Sequence, residues 1–169
     1  MSEKEPWLDE PDLDYFRIKD MLCVAIRHPW GHWCGYVGVG SKHPLYGVKC
    51  SELEEAGEEI RAHGDINWSA PLTEFTGWYF GFDCGRAFDY EPYKIRWFRQ
   101  MGMPESMIRE HEALFPHEGG GPFPLRYRDL NYVRANCAAI AAQIIDIAED
   151  EEALNRLAQL LAKTARPTS

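Results

Sequence analysis

Apolar residues recur along this chain with two periods. Over residues 127–147 the spacing is three and four: Tyr127, Leu130, Val133, Cys137, Ile140, Ile144 and Ile147 mark one stripe of a long helix. Residues 149–165 extend it or form a second helix. Glu149, Asp150, Glu151 and Glu152 stand in the first turn, and Lys163 and Arg166 near the end, the order that suits a helix dipole. Earlier, MLCVAIR at 21–27 predicts a strand. HWCGYVGV at 32–39 predicts another, with Trp33, Gly35, Val37 and Val39 on one face. HPWG between them reads as a turn, so the two strands form a hairpin.

DINWS at 65–69 and TGWYFGFDC at 76–84 predict a second hairpin. Trp78, Phe80 and Phe82 alternate there with Tyr79, Gly81 and Asp83, and SAPLTEFTG predicts a loop longer than a turn. Between the hairpins, HPLYG is a loop. SELEEAGEEIRAHG predicts a helix with Ser51 and Glu54 as a capping box, Leu53, Ala56 and Ile60 as its stripe, and Gly64 as its stop. Residues 92–101 and 104–114 predict two more helices, and PHEGGGPFP at 116–124 a lid-like loop or a linker. The expected fold is α+β: a small, mainly antiparallel sheet of about four strands packed against a long C-terminal helix and shorter helices. Residues 1–20 read as an acidic leader anchored by Trp7 and Leu13. Residues 21–169 read as a single domain whose C-terminal helical segment covers 127–165.

Composition adds limits. A chain of 169 residues buries a core without a disulfide or metal staple. Five widely spaced cysteines, no C-x-x-C, and the polar N-terminus MSEKEPWLDEPDLD point to free thiols in a reducing cytoplasm, with no membrane span. The net charge of -9 argues against direct nucleic-acid binding and fits a protein partner with a basic surface. No cofactor is expected, and no metal motif is present. A divalent ion on His, Asp and Cys is the alternative.

Candidate chemistry gathers between residues 28 and 89. If the strands of the second hairpin are neighbours, His63 and Asp65 end near Asp83 and Cys84. A histidine beside a carboxylate can act as a base, and Cys84 is a nucleophile if His63 or His32 activates it. The bland reading makes Cys84 a buried thiol, Asp83 a turn cap, and Arg86 with Asp89 a loop ion pair. The binding candidates are Trp30, His32, Trp33, His43, Tyr46, Asp65, Arg86, Asp89 and Tyr90, an aromatic-rimmed polar set. His43 before Pro44 also reads as a structural turn residue.

Three stretches, CGYVGVGSKHPLYG at 34–47, AHGDINWS through GWYFGFDCGRAFDY at 62–90, and YRDLNYVRANCAAIAAQI at 127–144, carry a resemblance. Together they resemble an uncharacterised family common in bacteriophages and prophages. His43 to Gly47 match its HPLYG turn, His63 and Gly64 its histidine–glycine pair, and Gly81 to Cys84 its strand end. Relatives carry alanine–histidine–alanine–glycine–aspartate after the cysteine. Here Arg86 replaces the histidine and Phe88 the glycine, and arginine is a poor metal ligand and base. The resemblance implies a phage context. The expected role is a phage-encoded accessory protein that binds another protein. One such role is inhibiting a host defence complex, in the manner of an anti-CRISPR protein. The alternative is a small metal- or cysteine-dependent hydrolase centred on His63, Asp83 and Cys84. A structural module built on the C-terminal helix is a third class.

Overall fold

A computed structural model describes residues 5–165. A single 3-10 turn, Pro6–Leu8, leads into β1 (Leu13–Ile18), β2 (Met21–Arg27) and β3 (Trp33–Val39). Then come α1 (Cys50–Glu55), β4 (Arg61–Ala62), β5 (Gly64–Asp65), β6 (Trp68–Leu72) and β7 (Phe75–Asp83). The helices α2 (Lys94–Gln100), α3 (Glu105–Leu114), α4 (Leu130–Glu149) and α5 (Glu151–Thr164) follow. The fold is α+β, as the apolar periods predict. Its sheet has five strands in the order β1-β2-β3-β7-β6, one more than expected, and β4 and β5 form a separate two-stranded ribbon.

The extra strand is β1, which occupies part of the expected leader. Asp14, Phe16 and Ile18 alternate half-buried with exposed Leu13, Tyr15 and Arg17, the pattern of an edge strand with one covered face. Trp7 is buried as an anchor, whereas Leu13 is exposed. The expected strand at 65–69 is β6 at Trp68–Leu72 instead. It pairs antiparallel with β7 across a two-residue turn at Thr73 and Glu74, not a long loop, with an irregularity at Pro71. Proline has no N–H for a ladder, and β6 is an edge strand, where that is tolerated.

The helix expected over 51–64 stops at Glu55. Gly57 adopts a φ of 81°, its N–H donates to Glu54 O, and Glu58 N–H reaches back to Leu53 O at 2.8 Å. That is a Schellman ending, which a glycine at this position favours. The capping contact also shifts: Glu52, not Glu54, accepts from a leading N–H, that of Lys49, at 2.8 Å. In α4 every residue of the expected stripe is buried, from Tyr127 just before the helix to Ile147 within it. Asp150 then caps α5 by accepting from Glu152 and Ala153 N–H. Arg166, expected near the end of this helix, lies outside the described residues.

The chain divides into two compact units. The first comprises residues up to Asp14, Ala25–Cys34 and Asp83–Arg134. The second comprises Tyr15–Val24, Gly35–Phe82 and residues from Ala135 on. The second unit holds most of the sheet together with α1, α5 and most of α4. Its core includes Val37, Tyr79, Phe80, Phe82, Ile140 and Ile144. The first unit holds α2, α3 and the glycine loop. That loop is tied down on both sides: Gly119 N–H donates to Leu125 O, and Tyr127 N–H to the Glu118 carboxylate, each at 2.7 Å.

Candidate functional site

The residues of the expected catalytic centre, His63, Asp83 and Cys84, and the neighbouring candidate Asp65 fall in different units. His63 stands at the tip of the β4–β5 ribbon, where Ala62 pairs with Gly64, and exposed Asp65 faces Arg61 across it. Both belong to the second unit, while Asp83 and Cys84 belong to the first. Asp83 Oδ1 accepts from Gly85 N–H at 3.0 Å, the turn cap of the bland reading. Cys84 is 1% exposed, and its N–H donates to Trp33 O at 2.9 Å. Burial, with the charge of Asp89 behind it, pushes its thiol up, the opposite of what a nucleophile needs. Among the described residues, no three His, Cys, Asp or Glu side chains gather as ligands for a metal ion.

The glycine-rich motifs explain themselves by packing. In β3 a Cβ on Gly35 would stand 2.5 Å from the Phe82 ring, and one on Gly38 would stand 2.3 Å from the Tyr79 ring. In β7 a Cβ on Gly81 would meet the Tyr36 ring at 2.6 Å. Each glycine is the seat of an aromatic ring from the neighbouring strand, and no larger residue leaves room for it. CGYVGVG and GFDC are thus two halves of one packing device.

The two His-Pro turns share one construction. His28 Nδ1 accepts from Trp30 N–H at 3.2 Å, and His43 Nδ1 accepts from Leu45 N–H at 3.1 Å. In each, proline follows the histidine, and a glycine with positive φ, Gly31 or Gly47, closes the turn. An accepting Nδ1 requires a neutral ring, and burial lowers the pKa of both histidines. His43 is therefore a turn residue, with Tyr46 exposed beyond it.

His28 goes on to stack against His32, ring centroids 4.4 Å apart. His32 is buried, with Nδ1 3.0 Å from Glu91 Oε1 but off the line of a directed hydrogen bond. Burial alone would raise the Glu91 carboxyl. His32 and Lys94 outweigh it and hold the group below the usual range. The Lys94 ammonium lies 4.7 Å from the centre of the half-buried Trp30 ring.

Of the remaining binding candidates in the first unit, Trp33 is wholly buried and Tyr90 packs on Trp7. Asp89 is buried. Its Oδ1 accepts from Arg128 Nε at 3.0 Å, and its Oδ2 accepts from the Arg86 N–H. Asp89 thus ion-pairs with Arg128, a residue the sequence did not single out.

Sequence reasoning also missed the hub of the first unit. Glu10 Oε2 accepts from Trp33 Nε1 (3.0 Å), Tyr127 OH (2.6 Å) and Arg27 Nη2 (3.3 Å), and Oε1 accepts from Leu130 N–H (2.8 Å). Burial raises this carboxyl, but the donors and the Arg27 charge together hold it below the usual range. Nothing marks Glu10 in an acidic segment. The one available signal was its position between the anchor Trp7 and the first strand.

In the second unit, α1 and α5 pack together, and Arg156 donates to Ala56 O and to the Glu58 carboxylate. Around this junction Glu54, Glu55, Glu59, Glu149, Glu151 and Glu152 are exposed. This acidic ridge was not among the expected binding residues. Comparison with known proteins finds no matching family model, no matching curated protein and no matching solved structure. Among the described residues, no helix is long and apolar enough to cross a membrane.

Proposed function

We propose that the protein acts by binding another protein whose surface is basic. The observation that carries this reading is the exposed acidic ridge of α1 and the start of α5, where the ion-paired Arg156 lies among many carboxylates. Such a ridge speeds and orients encounter with a cationic face. Tyr15 and Tyr46 supply exposed aromatic anchors in the same unit. Proteins that handle nucleic acid present basic faces of this kind. With the phage resemblance, we assign the role of a phage-encoded inhibitor of a host defence complex, acting in the host cytoplasm. The five free cysteines fit that reducing compartment.

The test compares wild type with a Glu54→Lys, Glu55→Lys, Glu151→Lys, Glu152→Lys variant. Each is immobilised and exposed to host lysate at low and at high salt. Wild type should retain basic proteins at low salt and release them at high salt, and the variant should retain none of them. Capture of the same proteins by both would overturn the ridge as the binding surface. Cells running RNA-guided interference test the narrower role: wild type should restore phage plating and the variant should not.

A further inference from the structure

The first unit holds a cavity of about 360 Å³, bounded by the segment after β7, the start of α2, the end of α3 and the loop behind it. That is the lower end of the range for small-molecule sites. Ile95, Phe115 and Leu125 give it an apolar wall. Gly85 lines it as bare backbone, because a Cβ there would stand 2.8 Å from the His32 ring and 3.0 Å from Glu91 Oε1.

Three carboxylates and two cations also line it, and each is already engaged. Asp89 Oδ1 accepts from Arg128 Nε, and its Oδ2 accepts from the Arg86 N–H. Glu91 pairs with Lys94 and faces His32. Arg86 has an interaction of its own within the fold. Glu112 Oε1 lies 3.6 Å from the Arg99 guanidinium, an ion pair longer than a hydrogen bond. A charged ligand would have to break one of these pairs or enter without compensation, and either is costly. An uncharged ligand meets neither cost.

Two neighbouring residues of α3 keep hydrogen-bonding capacity for such a ligand. A carboxylate accepts at several lone pairs, and the long Arg99 contact leaves Glu112 room to accept more. The half-buried His111 ring sits between Phe98 and Phe115, with centroid distances of 5.6 and 5.1 Å. Among the described residues, no hydrogen bond occupies its ring nitrogens. Burial and then the Lys94 charge lower its pKa, while Glu91 and Glu112 act the other way. The neutral ring carries one N–H donor and one acceptor. We propose that this cavity binds an uncharged carboxamide on a small apolar body. The amide NH₂ donates to Glu112, its carbonyl accepts from the His111 ring N–H, and the body fits against Ile95, Phe115 and Leu125. Successive residues of a helix point about 100° apart, so the ligand's donor and acceptor must sit on different atoms. A carboxamide meets that condition and a single hydroxyl does not.

The experiment records backbone amide NMR spectra of the full chain during titration with benzamide, benzyl alcohol, benzoate and benzylamine. Benzamide should shift the Gly85 amide signal saturably. The other three should bind at least about fivefold more weakly, because each lacks a hydrogen bond or brings a charge. His111→Phe keeps an aromatic ring between Phe98 and Phe115, and Glu112→Ala shortens a side chain that is 39% exposed. Each variant should weaken benzamide about fivefold. Should His111→Phe fail to fold, Glu112→Ala carries the test alone. The proposal is overturned if benzamide gives no saturable shift, if any of the other three binds as tightly, or if a folded variant binds benzamide as tightly as wild type.

Discussion

The two units are filled by opposite means. The first is organised around buried charge: Glu10 gathers four donors, Asp89 takes Arg128, and Glu91 lies between His32 and Lys94. The second is organised around shape, with aromatic rings seated on glycines and Ile140, Ile144 and Ile147 of α4 buried. The difference sets how each fails. A charge network is costly when one partner is removed, because the others stay buried and unpaired. A shape-filled interior is costly when something is added.

Glu10→Ala should be the largest effect. It takes one of two carboxylates from Arg27, whose side chain is 3% exposed, leaving it the solvent-exposed Asp12. It also strands the Trp33 and Tyr127 donors and the Leu130 N–H. The expected loss is about 3–5 kcal/mol in urea unfolding. Glu10→Gln keeps an acceptor and should lose less. Because the folded Glu10 pKa is depressed, its contribution is present above the usual carboxylate range. It fades as pH falls through the folded value, so the wild-type advantage over Glu10→Gln should shrink in strong acid.

In the second unit the matching change is Gly38→Ala. The new methyl would stand 2.3 Å from the Tyr79 ring, which is wholly buried and cannot swing away. Overpacking of this kind costs roughly 1–3 kcal/mol. If Gly38→Ala proved costlier than Glu10→Ala, the contrast between the two interiors would be wrong.

What the sequence disclosed depends on how local each pattern is. The strand at Met21–Arg27 and the buried stripe of α4 were legible because period and apolarity run together over many residues. The α1 ending was legible in principle, since Gly57 stands seven residues before the glycine chosen as the stop. β1 was hidden by the acidic residues around it, although Phe16 and Ile18 alternate correctly. The partners of the polar hub were not legible. Glu10 and Leu130 are 120 positions apart, and no local pattern records which carboxylate will meet a distant N–H. The His43 turn was readable because its chemistry is complete within five residues.

The smallest expected effect is also the finest test of the contrast, because the His-Pro turn occurs once in each unit. His43 uses its ring chiefly to cap Leu45 N–H. Asparagine can make the same local hydrogen bond. His43→Asn should therefore hold stability within a few tenths of a kcal/mol, whereas His43→Ala should lose about 1 kcal/mol. The folded pKa of His43 lies below its ordinary value. Its stabilisation is thus complete above the unfolded pKa and drains away as pH falls through the folded one. His43→Asn should remove that part of the pH dependence, which unfolding curves between roughly pH 8 and pH 5 measure directly. The same exchange at His28 must do worse. That ring also stacks on His32, beside the Glu91 carboxylate, and asparagine keeps the turn but abandons the stack. Equal tolerance of asparagine at both sites would mean that the buried polar cluster of the first unit does not depend on the turn that feeds it.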